Sequence, residues 1–434
     1  MKKKILAVLM AMLMMIGLLP AEPAQAAAVK LNKTSLTLTV GDTFQLKVTG
    51  KTKKVIYNTD QSKVISIGKT SGLIKAKNPG KANAVVTVKR AGKKDTVLKC
   101  KVIVNEKAPT LGQYWSDDSP TAQEIRDYVA KVTNPKDTEN FIPVEDRIAV
   151  FDMDGTLTCE TFFTYYDTMM FIEFCLVDHP ERVSEDLKQV ARSIAPGYVA
   201  DESLARNFAK AYAGMTPQEL YDYALSFGKK SPVSFTGMRY CDGYFLPMLE
   251  IVKYLSENDF TIYVSSGTER TTTRAILAQS PLGQYISPEH VMGTQFEVKL
   301  KGHETVSSDM DVKYNAGDQL VYTGGFVQKN LNSSKVIVIE REIGKKPVLC
   351  FGNSGSDSSM MAYTIDQNKY PAESFMLIAD DNVRDWPNQD FAEKSAEFGA
   401  MGFHCISTKN EFKQMYIDGV EKGASQTAPV APAA

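Results

Sequence analysis

The stretch Arg147-Ile-Ala-Val-Phe151-Asp152-Met153-Asp154-Gly155-Thr156-Leu157-Thr158 decides the fold of this 434-residue chain. Its apolar run, residues 148–151, stops abruptly at two carboxylates one residue apart, followed by Gly-Thr. A short apolar run bounded by polar residues reads as a buried parallel strand. In open α/β sheets, ligands sit beyond the carboxyl ends of such strands. Two acids at that edge suit two roles, one as an ionised nucleophile and one exchanging protons with leaving group and water. Gly155 lets the backbone turn close to an anion, and the Thr156 hydroxyl can donate to it. An isolated Asp-x-Asp-Gly loop also serves as a structural turn or a simple cation site. The choice therefore depends on what recurs downstream.

Two more polar loops follow apolar runs. Residues 260–264 predict a strand that ends in Ser265-Ser266-Gly267-Thr268, a tight Gly turn opening a helix whose N-terminus favours anions. Lys335 precedes a third strand at 347–351, which breaks into Gly352-Asn353-Ser354-Gly355-Ser356-Asp357. A last strand is expected at 375–379. Between the first and second loops the pattern turns helical, over about 160–242. Phe162, Phe163, Tyr165, Tyr166, Phe171 and Phe174 crowd one segment there. Such a cluster packs a helical core, and it also suits a cage for a quaternary ammonium group.

Taken together, these loops resemble the haloacid dehalogenase-like superfamily, in particular its phosphoserine-phosphatase-like branch of Mg²⁺ phosphatases, over about residues 140–420. The resemblance implies a Rossmann-like, doubly wound parallel sheet with a helical cap inserted between the first and second loops. It implies that Asp152 is the nucleophile and forms an aspartyl-phosphate, and that Asp154 is the general acid and then the base. Thr156, Ser266, Gly267 and Lys335 would hold the phosphoryl oxygens. Mg²⁺ would be bound by Asp152, Asp154 and the 352–357 loop, through Asn353 or Asp357. The branch often has Gly-Asp-Gly where this chain has Gly352-Asn353-Ser354, so the main acidic ligand shifts toward Asp357. Glu160 stands near the position of a substrate-amine-binding Glu in the branch, one residue early.

The rest of the chain is read more coarsely. Lys2-Lys3-Lys4, an apolar run and Ala24-Gln25-Ala26 read as a signal peptide over 1–26, too short to span a membrane. Short runs of alternating polarity over 29–107 predict a β-sandwich. The run from Ser71 to Ala82 there resembles bacterial immunoglobulin-like domains of group two, which implies a surface spacer or adhesion module. Residues 108–423 form the phosphatase-like domain, and 424–434 read as a disordered tail. Charge is uneven: 29–107 carries about +14, while the chain after it carries about −17. A basic exported module fits an anionic wall or surface polymer, and equally a merely solvated surface. Sparse aromatic interleaving argues against nucleic acid. The six cysteines lack Cys-x-x-Cys spacing and read as buried thiols, and the four histidines lack zinc spacing. The expectation is a secreted or surface-associated bacterial phosphomonoesterase acting on a small phosphorylated metabolite. Its rivals are a surface-binding protein with a weak phosphatase fold and a phosphotransferase.

Overall fold

The structure is a computed structural model that describes residues 28–105, 110–159, 164–195, 198 and 201–424. The expected signal segment, Glu160 and nearly all of the expected tail lie outside the described residues. The chain divides into two compact units between Ala108 and Pro109.

The first unit is all-β. One sheet has the order Ser35–Thr39, Lys93–Asn105, Gly80–Arg90, Lys54–Thr59, and a second has Thr43–Gln45, Leu73–Ala76, Ile65–Ile67. Period-two patterning explains the packing. Along Gly80–Arg90, Ala82, Ala84, Val86 and Val88 are buried, and Cys100, Val102 and Val104 match them on the neighbouring strand. Ile65 and Ile74 of the second sheet belong to the same buried cluster, so the two sheets cover one core as a sandwich. The alternate positions Lys81, Lys89, Lys99 and Lys101 face solvent. Only Ala91-Gly92 joins the two long strands. Gly92 sits at φ +67, the left-handed region that such a two-residue turn requires.

The second unit is mixed α/β. Its central strands, numbered within the unit, are β1 (Ile148–Phe151), β2 (Thr261–Glu269), β3 (Val291–Leu300), β4 (Leu320–Gln328), β5 (Leu349–Gly352), β6 (Glu373–Ile378) and β7 (His404–Ser407). They lie in the order β4-β3-β2-β1-β5-β6-β7, and every pairing is parallel except β3 with β4. All four residues of β1 are buried, as its continuous apolar run requires of a central strand. Phe151, Phe351 and Phe375 stack across β1, β5 and β6, with ring centroids 4.3 and 5.1 Å apart. This rigid ladder lies directly beneath the loops that leave β1 and β5.

Between β1 and β2 run the helices Tyr166–Glu173, Glu185–Ser193, Glu202–Ala211 and Pro217–Phe227. Their starts follow from their caps: the side chains of Ser184, Asp201 and Thr216 each accept from a backbone N–H three residues on. Tyr166, Phe171 and Phe174 are buried among these helices and in the main core. The described part of the aromatic cluster is thus mostly core.

Several local expectations change. β2 does not stop at Ser265 but runs on to Glu269, and Gly267 is not in a left-handed turn. The following helix begins at Arg270, with the Glu269 carboxylate accepting from Thr272 N at 2.8 Å. The anion at that helix N-terminus is therefore the chain's own. The hairpin β3–β4 and the edge strand β7 were not expected. Cys100, Cys175, Cys241 and Cys350 are buried free thiols, and Cys405 is a half-buried one. Among the described residues no helix is long and apolar enough to cross a membrane.

Candidate active site

Sheet order places the carboxyl ends of β1, β2 and β5 side by side, and one buried lysine ties them together. Lys335, on the helix Ser333–Glu342, is completely buried. Its ammonium donates to Asp152 Oδ1 at 2.6 Å, Asp357 Oδ1 at 2.7 Å and the Ser265 carbonyl at 2.6 Å. A lysine ammonium has three N–H donors, so all are in use. The other Asp357 oxygen accepts from Asn353 N, Ser354 N and Ser354 Oγ, each at 3.1 Å, which closes the 353–357 loop on itself. The Asp152 main-chain N–H donates to Phe351 O at 2.9 Å and joins the first loop to the third. Gly155 has φ +83, the conformation anticipated for a turn at that position. The Thr156 hydroxyl lies 3.5 Å from Asp152 Oδ2 and 3.4 Å from Asn353 Oδ1.

The electrostatics of this floor are unbalanced. Asp152 and Asp357 share the single charge of Lys335. Burial, and then the Asp357 charge, push the Asp152 carboxyl up to about 7, against the pull of Lys335. Burial alone would lower the lysine, but Asp152 and Asp357 outweigh it and hold it charged.

Above the floor is a cavity of about 260 Å³. Asp152, Asp154 and Asn353 line it from the first and third loops, and Gly267 and Thr268 line it from β2. Tyr165 and Asp167 come from the helical segment, and Lys329 from the residue after β4. Asp154 Oδ2 accepts from Thr268 Oγ1 at 2.8 Å and from Ser266 Oγ at 3.4 Å, which fixes the orientation of this carboxylate. Asp167 is buried, and burial raises its pKa. Burial lowers that of Lys329, with Asp167, Asp154 and Asp201 pulling the other way.

Of the residues nominated from sequence, Asp152, Asp154, Gly267 and Asn353 reach the cavity. Thr156, Ser266 and Lys335 are completely buried beside it, and Asp357 is 1 % exposed behind its own loop. The cavity residues that were not nominated include Thr268, Asp167 and Lys329. Thr268 adjoins the nominated Ser266-Gly267. Lys329 lies six residues before Lys335, at the end of an alternating run, and Asp167 is one acid among the aromatics of a helix.

The donor set suits a hard divalent cation. Asp152, Asp154 and Asn353, two carboxylates and an amide, line one side of the cavity, and the floor carries more negative than positive charge.

No family model matches the chain, and no curated protein matches it. Solved structures do. A conserved protein of unknown function from Anaerococcus prevotii DSM 20548 is 14% identical with a TM-score of 0.44, covering 69% of this chain and 94% of that one. Cytosolic 5'-nucleotidase IIIB bound to cytidine is 12% identical with a TM-score of 0.34, covering 68% and 86%. A phosphoserine phosphohydrolase-like protein from Francisella tularensis subsp. tularensis SCHU S4 is 14% identical with a TM-score of 0.28, covering 54% and 87%. Likenesses this loose carry no weight beside the geometry of the site itself.

Proposed function

We propose that this chain is an exported Mg²⁺-dependent phosphomonoester hydrolase of the haloacid dehalogenase-like type. One observation carries the reading: strand ends far apart in sequence bring Asp152, Asp154 and Asn353 to one cavity, with Lys335 clamped beneath Asp152. In the first step an Asp152 carboxylate oxygen attacks phosphorus and the bond from phosphorus to the alcohol oxygen breaks. Asp154 gives its proton to that leaving oxygen. Water then attacks phosphorus, Asp154 takes a proton from it, and the bond to Asp152 breaks, releasing inorganic phosphate. Thr268 and Ser266 hold Asp154 in line through both transfers.

Asp152, Asp154 and Asn353 would hold Mg²⁺, with Asp357 keeping the Asn353 loop in place. When bound, the cation offsets the repulsion between an anionic carboxylate and an anionic phosphoryl group. The remaining charges belong to the chain. Lys335 keeps Asp152 positioned, and the cavity's mixed polar wall takes the leaving group.

The test is turnover of 4-nitrophenyl phosphate by the full chain with Mg²⁺ and with a chelator. Asp152→Asn is expected to abolish Mg²⁺-dependent turnover while circular dichroism stays unchanged. Retained activity would mean a different nucleophile. A rival reading, a phosphatase-like fold that binds phosphorylated ligands without hydrolysing them, is favoured by the neutral Asn353 at an acidic position. Folded protein that binds phosphate but shows no metal-dependent turnover would select it.

Export rests on residues 1–26, and amino-terminal sequencing of protein recovered from culture medium tests it. The lysines on the outer face of the first unit support an anionic surface polymer as partner. Co-sedimentation with purified wall polymer, released by salt, is the expected behaviour.

A further inference from the structure

We propose that Lys329 is the cation through which the cavity binds an anionic oxygen of its substrate, a role that the recurring loops do not assign to it. The inference deepens the phosphomonoesterase reading and rests on it. Its basis is a count of donors. Lys335 spends all three N–H groups on Asp152, Asp357 and the Ser265 carbonyl, is completely buried and does not line the cavity. In this arrangement it positions the nucleophile and has no N–H left for a ligand. Lys329 is the lysine that does line the cavity. Among the described residues its ammonium has one acceptor, the Gly267 carbonyl at 2.9 Å, and forms no ion pair within 4 Å. Two of its N–H groups are therefore unfilled in a partly buried wall, where an unmet ammonium is costly.

The surroundings point the same way. Asp167, in the same cavity, is near enough to shift the Lys329 titration, yet the two do not close an ion pair. The backbone around Lys329 is tied in place. Asn330 Nδ2 donates to Ser265 Oγ and to Ser266 O at 3.1 Å each, and Asn330 N donates to Thr294 Oγ1 at 3.2 Å. The ammonium is thus held at the rim of the phosphoryl site by a fixed strand end. What meets it is an anionic oxygen, from the phosphoryl group itself or from a second acidic group on the leaving alcohol.

The experiment uses the full chain, wild type and with Lys329→Gln or Lys329→Arg. Steady-state kinetics are measured on 4-nitrophenyl phosphate and on 2-phosphoglycolate, together with binding of inorganic phosphate by calorimetry. Loss of a charge-assisted hydrogen bond predicts about a tenfold rise in KM for Lys329→Gln, largely restored by Lys329→Arg, with unchanged melting temperature. If the phosphoryl group supplies the oxygen, both substrates and inorganic phosphate weaken together. If a second acid supplies it, 2-phosphoglycolate alone weakens. Changes within twofold for both substrates and for phosphate binding would overturn the assignment, as would a melting loss that arginine does not rescue. A wild type that neither turns over nor binds phosphate sinks the phosphatase reading as well. Normal wild-type turnover with an indifferent Lys329→Gln sinks only this one.

Discussion

The floor and the wall of the cavity use the same residue types to opposite ends. On the floor, Lys335 and Asp357 have every strong donor and acceptor matched by protein. On the wall, among the described residues, Lys329 has one of three donors matched, and Asp167 accepts from the Thr168 hydroxyl at 3.2 Å, with the Thr268 hydroxyl also stabilising its charge. A buried polar group costs stability unless it is hydrogen-bonded. A filled network therefore holds loops in position, and an unfilled one at a cavity points to what the cavity receives. The distinction also corrects a natural assumption about the site. The lysine most deeply placed, beside Asp152, is the one least available to a ligand.

The strongest way to break the comparison is to empty the floor. Lys335→Met keeps much of the side-chain length and leaves Asp152 and Asp357 as unpaired buried carboxylates. Removing one partner of a buried pair costs about 3–5 kcal/mol. Both tryptophans, Trp115 and Trp386, lie in the second unit, so their fluorescence follows unfolding of that unit in urea. A large fall in its midpoint is expected. A variant that unfolds like wild type would mean that Lys335 is dispensable to the loops, and that floor and wall do not differ in kind.

The floor was far more legible in the sequence than the wall. Asp152, Asp154, Lys335 and the 352–357 loop sit at the ends of apolar runs, and parallel-strand physics gives such ends a meaning before any coordinates exist. Lys329 and Asp167 have no such spacing. Each is one charged residue in a hairpin or a helix, identical on paper to any solvated charge. The hairpin β3–β4 that carries Lys329 was missed because 19 polar-rich residues separate its strands, where a two-residue turn would have announced it. The strand β7 was missed because four residues, His404–Ser407, give alternation too little length to register. At Ser265–Thr268 the composition suggested a turn. Pairing with β1 ends at Val264, but pairing with β3 at Ser265 and again at Glu269 kept the backbone extended, and an irregularity in register between them took up the distortion. Tertiary pairing overrode the local preference of Ser and Gly there.

A finer test lies where floor meets wall, at Asp154. Its Oδ2 takes 2.8 Å from Thr268 Oγ1 and the longer 3.4 Å from Ser266 Oγ. Thr268→Val preserves shape and removes the shorter bond. Because the group held is the proposed acid and base, kcat should fall about tenfold to a hundredfold, with KM nearly unchanged and the fold intact. A rise in KM with constant kcat would instead place Thr268 on the substrate.

The smallest effect is expected at Glu373, at the start of β6, the opposite end of that strand from the loops. Among the described residues its Oε2 is buried without a hydrogen-bond partner. Burial, then the Glu124 charge, push its carboxyl up to about 7. The sign follows directly. Between about 4.5 and 7 the unfolded chain has released this proton and the folded chain still holds it, so stability falls as pH rises through that window. Because Glu373 is partly exposed, screening reduces the effect. Glu373→Gln should melt like wild type at pH 5 and about 2 °C higher at pH 8. The comparison would then hold in its sharper form: an unmatched group outside a cavity is only a cost, while one inside is a binding feature. A lower melting temperature at pH 8 would break it. In that case the ligand atoms of Glu124, Glu373 and His404, all within 4.8 Å of one another, would be holding a cation, and the unmatched oxygen of Glu373 would be part of that site.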